Sequence, residues 1–374
     1  MRIEKRPQRL DSSLDLTLLT LGAIAVALVI GGLLFIPFGA SPIEGYKALF
    51  GNAFFTLRGL GYTLVTATPM ILVGLGTIVA WRCGFIFLGF EGCILLGAAG
   101  GTMIALQTLA GGMLDGMTPL LVVPLALIFG TAFGSLWSGA VGELKVRFGG
   151  NEVLMALMMN FLAIFLIQYL VNSPWRVEGD LPQTARIPRE YWLPFVIPGT
   201  RAHAGILIAL VAGGLVYFLM EKTRAGFEMV SSGLNLRAAL YGGIQVKERL
   251  RQSAFLAGGL AGLAGAIEIL GIHHRLLDGL SEGVGFIGIV AALLGRMTVP
   301  GTIVAAILYG GLSVGGDAMQ RQTGLPSSIV LIIQATIVLL VIASELLRVY
   351  KITITSRTDR PDQVSPTAQS ERAS

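Results

Sequence analysis

The feature that most limits what this chain can fold into is a succession of apolar runs, each close to 20 residues long and nearly free of charge. A helix rises 1.5 Å per residue, so a run of that length matches a hydrocarbon layer of about 30 Å. Ten such runs are predicted, at 16–38, 60–80, 83–106, 118–140, 152–171, 204–220, 253–272, 284–295, 300–316 and 327–347. The expected fold class is an all-α polytopic membrane protein of about ten transmembrane helices. Charged residues make up 13% of the 374, roughly half the ~25% of a soluble domain. The 50 glycines follow no three-residue period, which excludes collagen. Inside apolar runs they suit helices that approach one another closely in lipid.

The runs at 284–295 and 300–316 are short and nearly joined through Arg296–Pro300, so they form either a tight hairpin or a re-entrant element. The run at 16–38 follows a basic start but exceeds the length of a signal-peptide core, and is read as a retained helix. Of the 27 lysines and arginines, 19 fall on the side that holds the N-terminus and 8 on the other. That bias places both termini in the cytoplasm. The expected organisation is a cytoplasmic segment 1–15, a membrane domain 16–347 and a cytoplasmic tail 348–374. The tail is rich in Ser, Thr, Arg and Asp beyond about Thr355, and is predicted to be disordered.

Two loops stand out. Residues 172–203, rich in Pro, Trp and Arg, face outward and are long enough for a ledge with a short helix. Residues 221–252 face inward and carry Gly233-Leu-Asn-Leu-Arg-Ala-Ala-Leu-Tyr-Gly-Gly243. Asn235 is placed to cap a short helix through Arg237, Ala238, Ala239 and Leu240, stopped by Gly242 and Gly243.

Chemistry is sparse. None of the six lysines follows a glycine, so a G-x-x-x-x-G-K-[ST] phosphate loop is excluded, and H-E-x-x-H is absent. Any ATP-driven step needs another polypeptide. Cys83 and Cys93 read as buried free thiols. His203, His273 and His274 are too scattered for a metal site, and the His273–His274 pair is expected to be solvated at the interface. The sequence pI near 9.4 reflects basic residues at run ends and not a nucleic-acid surface. Trp81, Trp137, Trp175 and Trp192 are expected as interfacial anchors. Acidic groups inside apolar runs are costly and draw attention by default. Glu91 follows Gly84-Phe-Ile-Phe-Leu-Gly89, where two glycines can break a helix. Glu268 follows Gly258, Gly262 and Gly265 on a small-residue face. Each carboxylate has two readings, a wall of the transport path or a buried group satisfied by its neighbours. Asn160, Gln168, Gln252 and Gln334 are candidates for bonds between helices or to solute.

Asn151-Glu-Val-Leu-Met-Ala-Leu-Met-Met-Asn160, the 233–244 segment and Gly285-Phe-Ile-Gly-Ile-Val-Ala-Ala-Leu-Leu-Gly295 stand in an order that resembles the permease subunits of bacterial ABC importers for nucleosides and simple sugars, within the branched-chain amino acid and ribose permease group. The resemblance covers roughly residues 50–345. It implies a dimer with a second permease subunit, a cytoplasmic ATPase that holds the ATP and Mg, an extracytoplasmic substrate-binding protein and a bacterial inner-membrane location, with no cofactor in this chain. It also implies that Gly233, Asn235, Arg237, Ala238, Ala239, Tyr241 and Gly243 couple to the ATPase. The path would be lined by Phe87, Glu91, Asn160, Glu268, Phe286 and Ile287. This chain departs from the group's usual polar pattern: Phe87 and Cys93 stand at Asn and Gln positions, and Ile287 stands at an Asp position. Two rivals remain at this level. One is an ion- or proton-coupled transporter that works without an ATPase through a titrating Glu91 or Glu268. The other is a membrane scaffold.

Overall fold

The computed structural model describes residues 2–5, 22, 25–33, 35–38, 41–109, 111–177, 181–281, 283–324, 326 and 328–353. Helices dominate. In chain order they are α1 (25–33), α2 (Pro42–Phe54), α3 (Leu57–Arg82), α4 (Phe90–Leu106), α5 (Pro119–Phe148), α6 (Glu152–Asn172), α7 (Gly205–Lys222), α8 (Arg224–Leu234), α9 (Leu236–Tyr241), α10 (Val246–Glu268), α11 (Val284–Leu294), α12 (Val299–Thr323) and α13 (Ser328–Val349). Six of them, α3, α5, α6, α7, α10 and α12, are long and apolar enough to cross a membrane, and the chain is a polytopic membrane protein. Of the expected run 16–38, only part lies within the described residues. The tail beyond Thr355 lies outside them.

The chain divides into two compact units, Gly31–Gln334 and a smaller one of Met1–Ile30 with Ala335–Ser374. In the smaller unit, strand β1 (Arg2–Lys5) pairs antiparallel with β2 (Tyr350–Thr353). The expected all-helical class thus holds except for this two-stranded ribbon, which takes up part of the two terminal segments.

The larger unit is built around α3. Its most apolar window is 89% buried, whereas the corresponding windows of α5 and α6 are only 22% buried. All three are similarly apolar, so burial separates a central helix from those that present Leu154, Met158, Phe161 and Phe165 outward, as lipid-facing helices do. Thr56 caps α3 by accepting from the Gly59 N–H at 3.0 Å. Helices α4, α5 and α10 pack through glycines: a Cβ added at Gly262 would lie 2.4 Å from the Gly130 carbonyl, and one at Gly265 only 1.9 Å from that of Ile94. Backbones in such contact leave no room for any side chain.

Three departures from expectation have physical reasons. Helix α2 lies in a stretch read as an outer loop. Its 13 residues are too few for a search tuned to 20-residue runs, but Leu49 and Phe54 reach Gly315 and Gly311 of α12. The run at 284–295 is an 11-residue helix, about 16 Å long by its rise, and does not cross a layer alone. A turn at 295–298, with Arg296 and Met297 at φ +54°, joins it to the full-length α12. Finally, α10 ends in a single π turn, Ile269–His273, of the kind that accumulates at functional sites.

Candidate functional site

The expected break after α3 is present. Gly84, at φ +84°, ends the helix, and residues 85–89 form no regular element before α4 begins at Phe90. Asn160, eight residues into α6, fastens the junction of this segment with α4 through both polar atoms of its side chain. Its Nδ2 donates to the Leu88 carbonyl at 3.0 Å and its Oδ1 accepts from the Gly92 N–H at 2.9 Å. Trp81 Nε1 donates to the Phe87 carbonyl at 3.2 Å. Phe87 is fully buried, stacked on Phe85 and edge-on to Phe90. An Asn at that position would need polar partners, and the ring cluster offers none.

Glu91 is buried, and both its oxygens are used. Oε1 accepts from the Gly283 N–H at 3.0 Å and Oε2 from the Gly285 N–H at 2.9 Å. The carboxylate therefore caps the N-terminus of α11, where free amides and the helix dipole favour a negative charge. Gly285 permits the approach, since a Cβ there would sit 2.4 Å from the Glu91 nitrogen. Of the six residues expected along the path, Phe87, Glu91 and Asn160 thus meet at the start of α4. Phe286 and Ile287 lie on the helix that Glu91 caps, with Phe286 exposed and Ile287 half-buried.

Glu268 lies elsewhere, in the wall of a cavity of about 1000 Å³ shared by α3, the π turn and the ledge 181–201. His273 Nε2 is 3.3 Å from its carboxylate. His274, expected to be solvated, is instead buried and stacked on Trp192 at 3.6 Å with the planes 5° apart. The guanidinium groups of Arg186 and Arg189 lie 5.1 and 5.6 Å from the same indole. Burial first, and then the charge of Arg186, lowers the His274 pKa to about 4, so the ring is neutral at pH 7. Trp192 is thus the centre of a stack. The ledge is held by Tyr191, whose hydroxyl donates to the Met117 carbonyl at 3.0 Å, and by an isolated bridge between Gln183 and Leu277. Neither Trp192 nor His274 belongs to a motif, and the only sequence signal was the Pro, Trp and Arg content of the ledge.

At the opposite end, α9 forms as expected. The Asn235 side chain accepts from the Ala238 N–H at 3.1 Å, and Gly243 at φ +76° follows the helix. Helix α8 is fixed to α10 by Glu228, which accepts from Arg249 at 2.8 Å and Arg224 at 2.9 Å. Arg249 and then Arg224 hold that carboxyl below the usual range. Ala239 is 3% exposed, so it packs inward against its own chain. The outward face instead carries Leu236, Leu240 and Tyr241, the last 95% exposed. Gly233, Asn235, Arg237, Ala238 and Gly243 are also exposed. Gly233 abuts the end of α3, where a Cβ would lie 2.2 Å from the Arg82 carbonyl, and a Cβ on Gly84 would lie 3.2 Å from Gly233.

Cys83 and Cys93 are free and buried, and no cluster suited to a metal ion occurs among the described residues. A G-x-S-x-G sequence at 311–315 lies inside α12 and makes no strand-to-helix elbow. Ser313 there accepts from Gln334 at 3.2 Å.

The family described as branched-chain amino acid transport system, permease component, matches residues 59–342. The guanosine ABC transporter permease protein NupP of Bacillus subtilis is 35% identical over 336 residues, which covers 88% of this chain and 94% of that one. The glucose ABC transporter permease protein TsgB13 of Haloferax volcanii is 32% identical, with 88% of each chain covered. The nucleoside ABC transporter permease protein NupB of Lactococcus lactis is 31% identical, with 86% of this chain and 89% of that one covered. No solved structure matches. A polytopic helical domain that the family spans almost from end to end, with relatives alike over nearly their full lengths, places this chain in the branched-chain amino acid transport permease family, as the permease subunit of an ABC transporter.

Proposed function

We propose that the chain imports a nucleoside or a simple sugar-like solute across a bacterial inner membrane by alternating access, driven by a separate ATPase that holds the ATP and Mg. The chain itself needs no cofactor. It pairs with a second permease, identical or different, and receives solute from an extracytoplasmic binding protein. Ten crossings with both termini in the cytoplasm fit the charge bias, with α11 as the inner part of a crossing whose outer part is the chain leading to Gly283.

The observation that carries this reading is the capped α9 with its exposed apolar face. Leucine and tyrosine side chains on a cytoplasmic six-residue helix are stabilised by a partner surface more than by water. From α9 the contact runs through Gly233 to Gly84, then along residues 85–89 to Glu91 and the start of α11. A shift of α9 imposed by an ATPase thus reaches the break between half-helices without deforming α3. Different contacts between ATPase and α9 in its two states supply the free energy.

The test is Leu236→Asp combined with Tyr241→Asp. Both side chains are exposed, so the amount of permease in the membrane is expected to stay normal. ATPase co-purified with the tagged permease and solute uptake are each expected to fall roughly tenfold or more, the scale of losing a central interface anchor. Full ATPase recovery with full uptake would overturn the docking role. Ala239 is unsuitable for this test because its replacement disturbs the chain's own packing. For topology, a cysteine at Leu181 is expected to react with an impermeant maleimide in intact cells, and one at Arg237 only after the inner face is opened. The two native thiols are buried and contribute little background. Outside labelling of position 237 would reverse the orientation.

A further inference from the structure

Arginine is used differently at the two ends of the larger unit. Near α9, Arg224 and Arg249 share Glu228, and Arg147 and Arg251 share Glu143. On the ledge, Arg186, Arg189 and Arg201 are all exposed, and none makes an ion pair or a side-chain hydrogen bond among the described residues. Each lies against an aromatic ring instead, Arg186 and Arg189 over Trp192 and Arg201 over Tyr62 at 5.8 Å. Described residues 181–203 hold a single carboxylate, Glu190. The carboxylates of the cavity wall beside them are engaged, Glu268 with His273 and Asp278 with Gln168 at 3.3 Å.

The backbone under these arginines is fixed. Ile187 and Leu193 donate their N–H groups to the His274 and Leu270 carbonyls at 2.8 and 3.0 Å, and Val196 donates to the Ala202 carbonyl at 2.7 Å. A Cβ added at Gly61 would lie 2.6 Å from that of Thr200, so the residue before Arg201 sits tight on the start of α3. A guanidinium stacked on a ring keeps its N–H fork free, and it has less side-chain entropy to lose when a carboxylate arrives. Phe195, half exposed, lines the same cavity as Arg186 and Arg201. Exposed aromatic and arginine side chains held together in this way have the composition of an interface anchor.

The occupant must be anionic. A nucleoside or a simple sugar carries no charge at pH 7 and gives a guanidinium nothing to neutralise. Lipid headgroups gather at the flank of a membrane protein, whereas this part of the ledge is bonded to the ends of α3 and α10. The apolar windows of those two helices are 89% and 67% buried, so the arginines stand over the middle of the subunit. A protein surface fits both the charge and the place. We infer that Arg186, Arg189 and Arg201 form the seat of the extracytoplasmic binding protein and take Asp or Glu side chains from its rim. The inference rests on the importer reading, and adds to it where that partner docks and which charge it presents.

The experiment places p-benzoylphenylalanine at Phe195 of the full-length permease, irradiates intact cells and identifies the product by mass spectrometry. The expected product is an extracytoplasmic solute-binding protein, joined through a peptide that contains Asp or Glu. A product with lipid alone, or one without a binding protein, would overturn the inference. The captured protein is then purified and titrated against the whole transporter in proteoliposomes. Arg186→Glu combined with Arg201→Glu is expected to raise the half-saturating concentration of binding protein about tenfold or more while the maximal rate is kept, because like charges now meet at the docking surface. Arg201→Glu alone leaves the Trp192 stack in place and is expected to raise it severalfold, so the test stands even if the double variant fails to fold. Replacing the cross-linked carboxylate of the binding protein by Lys is expected to recover affinity for Arg201→Glu, which a purely structural role for the arginine does not allow. Wild-type half-saturation in Arg201→Glu or in the folded double variant, or a fall in maximal rate alone, counts against docking here. Uptake in cells separates this from failure of the broader reading. Loss of uptake of some sugar or nucleoside on deleting the gene supports the importer wherever its partner docks. Unchanged uptake of both classes would remove the importer reading, and this inference with it.

Discussion

Gly265→Leu is expected to remove nearly all folded protein from the membrane. The first side-chain atom at that position would fall 1.9 Å from the Ile94 carbonyl oxygen, and the obstacle is backbone, which cannot rotate aside. Overpacking typically costs about 1–3 kcal/mol when side chains can adjust. Here α10 must separate from α4, so the cost lies at or above that upper figure. Against a total stability of about 5–15 kcal/mol, the extractable monodisperse protein should fall more than tenfold. Gly214→Leu is the matched control. It also lies within a helix, α7, but its added Cβ meets nothing within 4 Å, and normal yield is expected. Size-exclusion profiles of the two variants decide the matter, and equal yields would refute close packing of α4 and α10.

The second large effect belongs to Glu91. Glu91→Leu leaves the N–H groups of Gly283 and Gly285 without acceptors in a buried place, at about 1–3 kcal/mol for each. It also removes the charge that favours a helix N-terminus. Glu91→Gln keeps one oxygen, so one of the two amides stays satisfied and a smaller loss is expected. The predicted order of folded protein is wild type, then Gln, then Leu, with uptake per folded molecule little changed in Gln. Protease resistance of the outer loops in membranes reads the first quantity, and transport assays read the second. Normal abundance of the Leu variant combined with lost uptake would instead make this carboxylate part of the transport path.

How much of this was legible beforehand differed from element to element. The Asn235 cap and the glycines around α9 are local signals, and the helix they specify is the one that forms. The break at Gly84–Gly89 was legible for the same reason. For Glu91, a buried group satisfied by its neighbours was one of the two readings and its bonds agree with it; which neighbours was not legible, because they lie 192 and 194 residues further along and are backbone amides, which carry no sequence signature. Helix α2 escaped because its apolar stripe is short and is completed by α12. Ala239 was assigned to the ATPase contact by the resemblance alone, yet it is buried. Which side of a six-residue helix faces its own chain is decided by α8 and α10, and composition does not encode that. The stack of Trp192 and His274 joins the ledge to the end of α10, a tertiary contact that no spacing rule reaches.

The meeting of α4 and α11 also sets an order for biogenesis. An 11-residue helix gives the insertion machinery too little apolar length to hold it as an independent crossing. It must enter along with α12 and then find a seat already made. That seat contains Glu91, synthesised long before Gly283, and a charged side chain waiting inside a bilayer costs about 2.5–3.5 kcal/mol on insertion scales. Until the later segment arrives, the two oxygens of Glu91 lack the Gly283 and Gly285 amides that they accept from in the folded protein. Docking of α11 therefore seats a short helix and satisfies a buried carboxyl group in one event. A chain that stops short of residue 283 is left with the defect exposed, and so differs from the finished permease in a way that a membrane protease could sense.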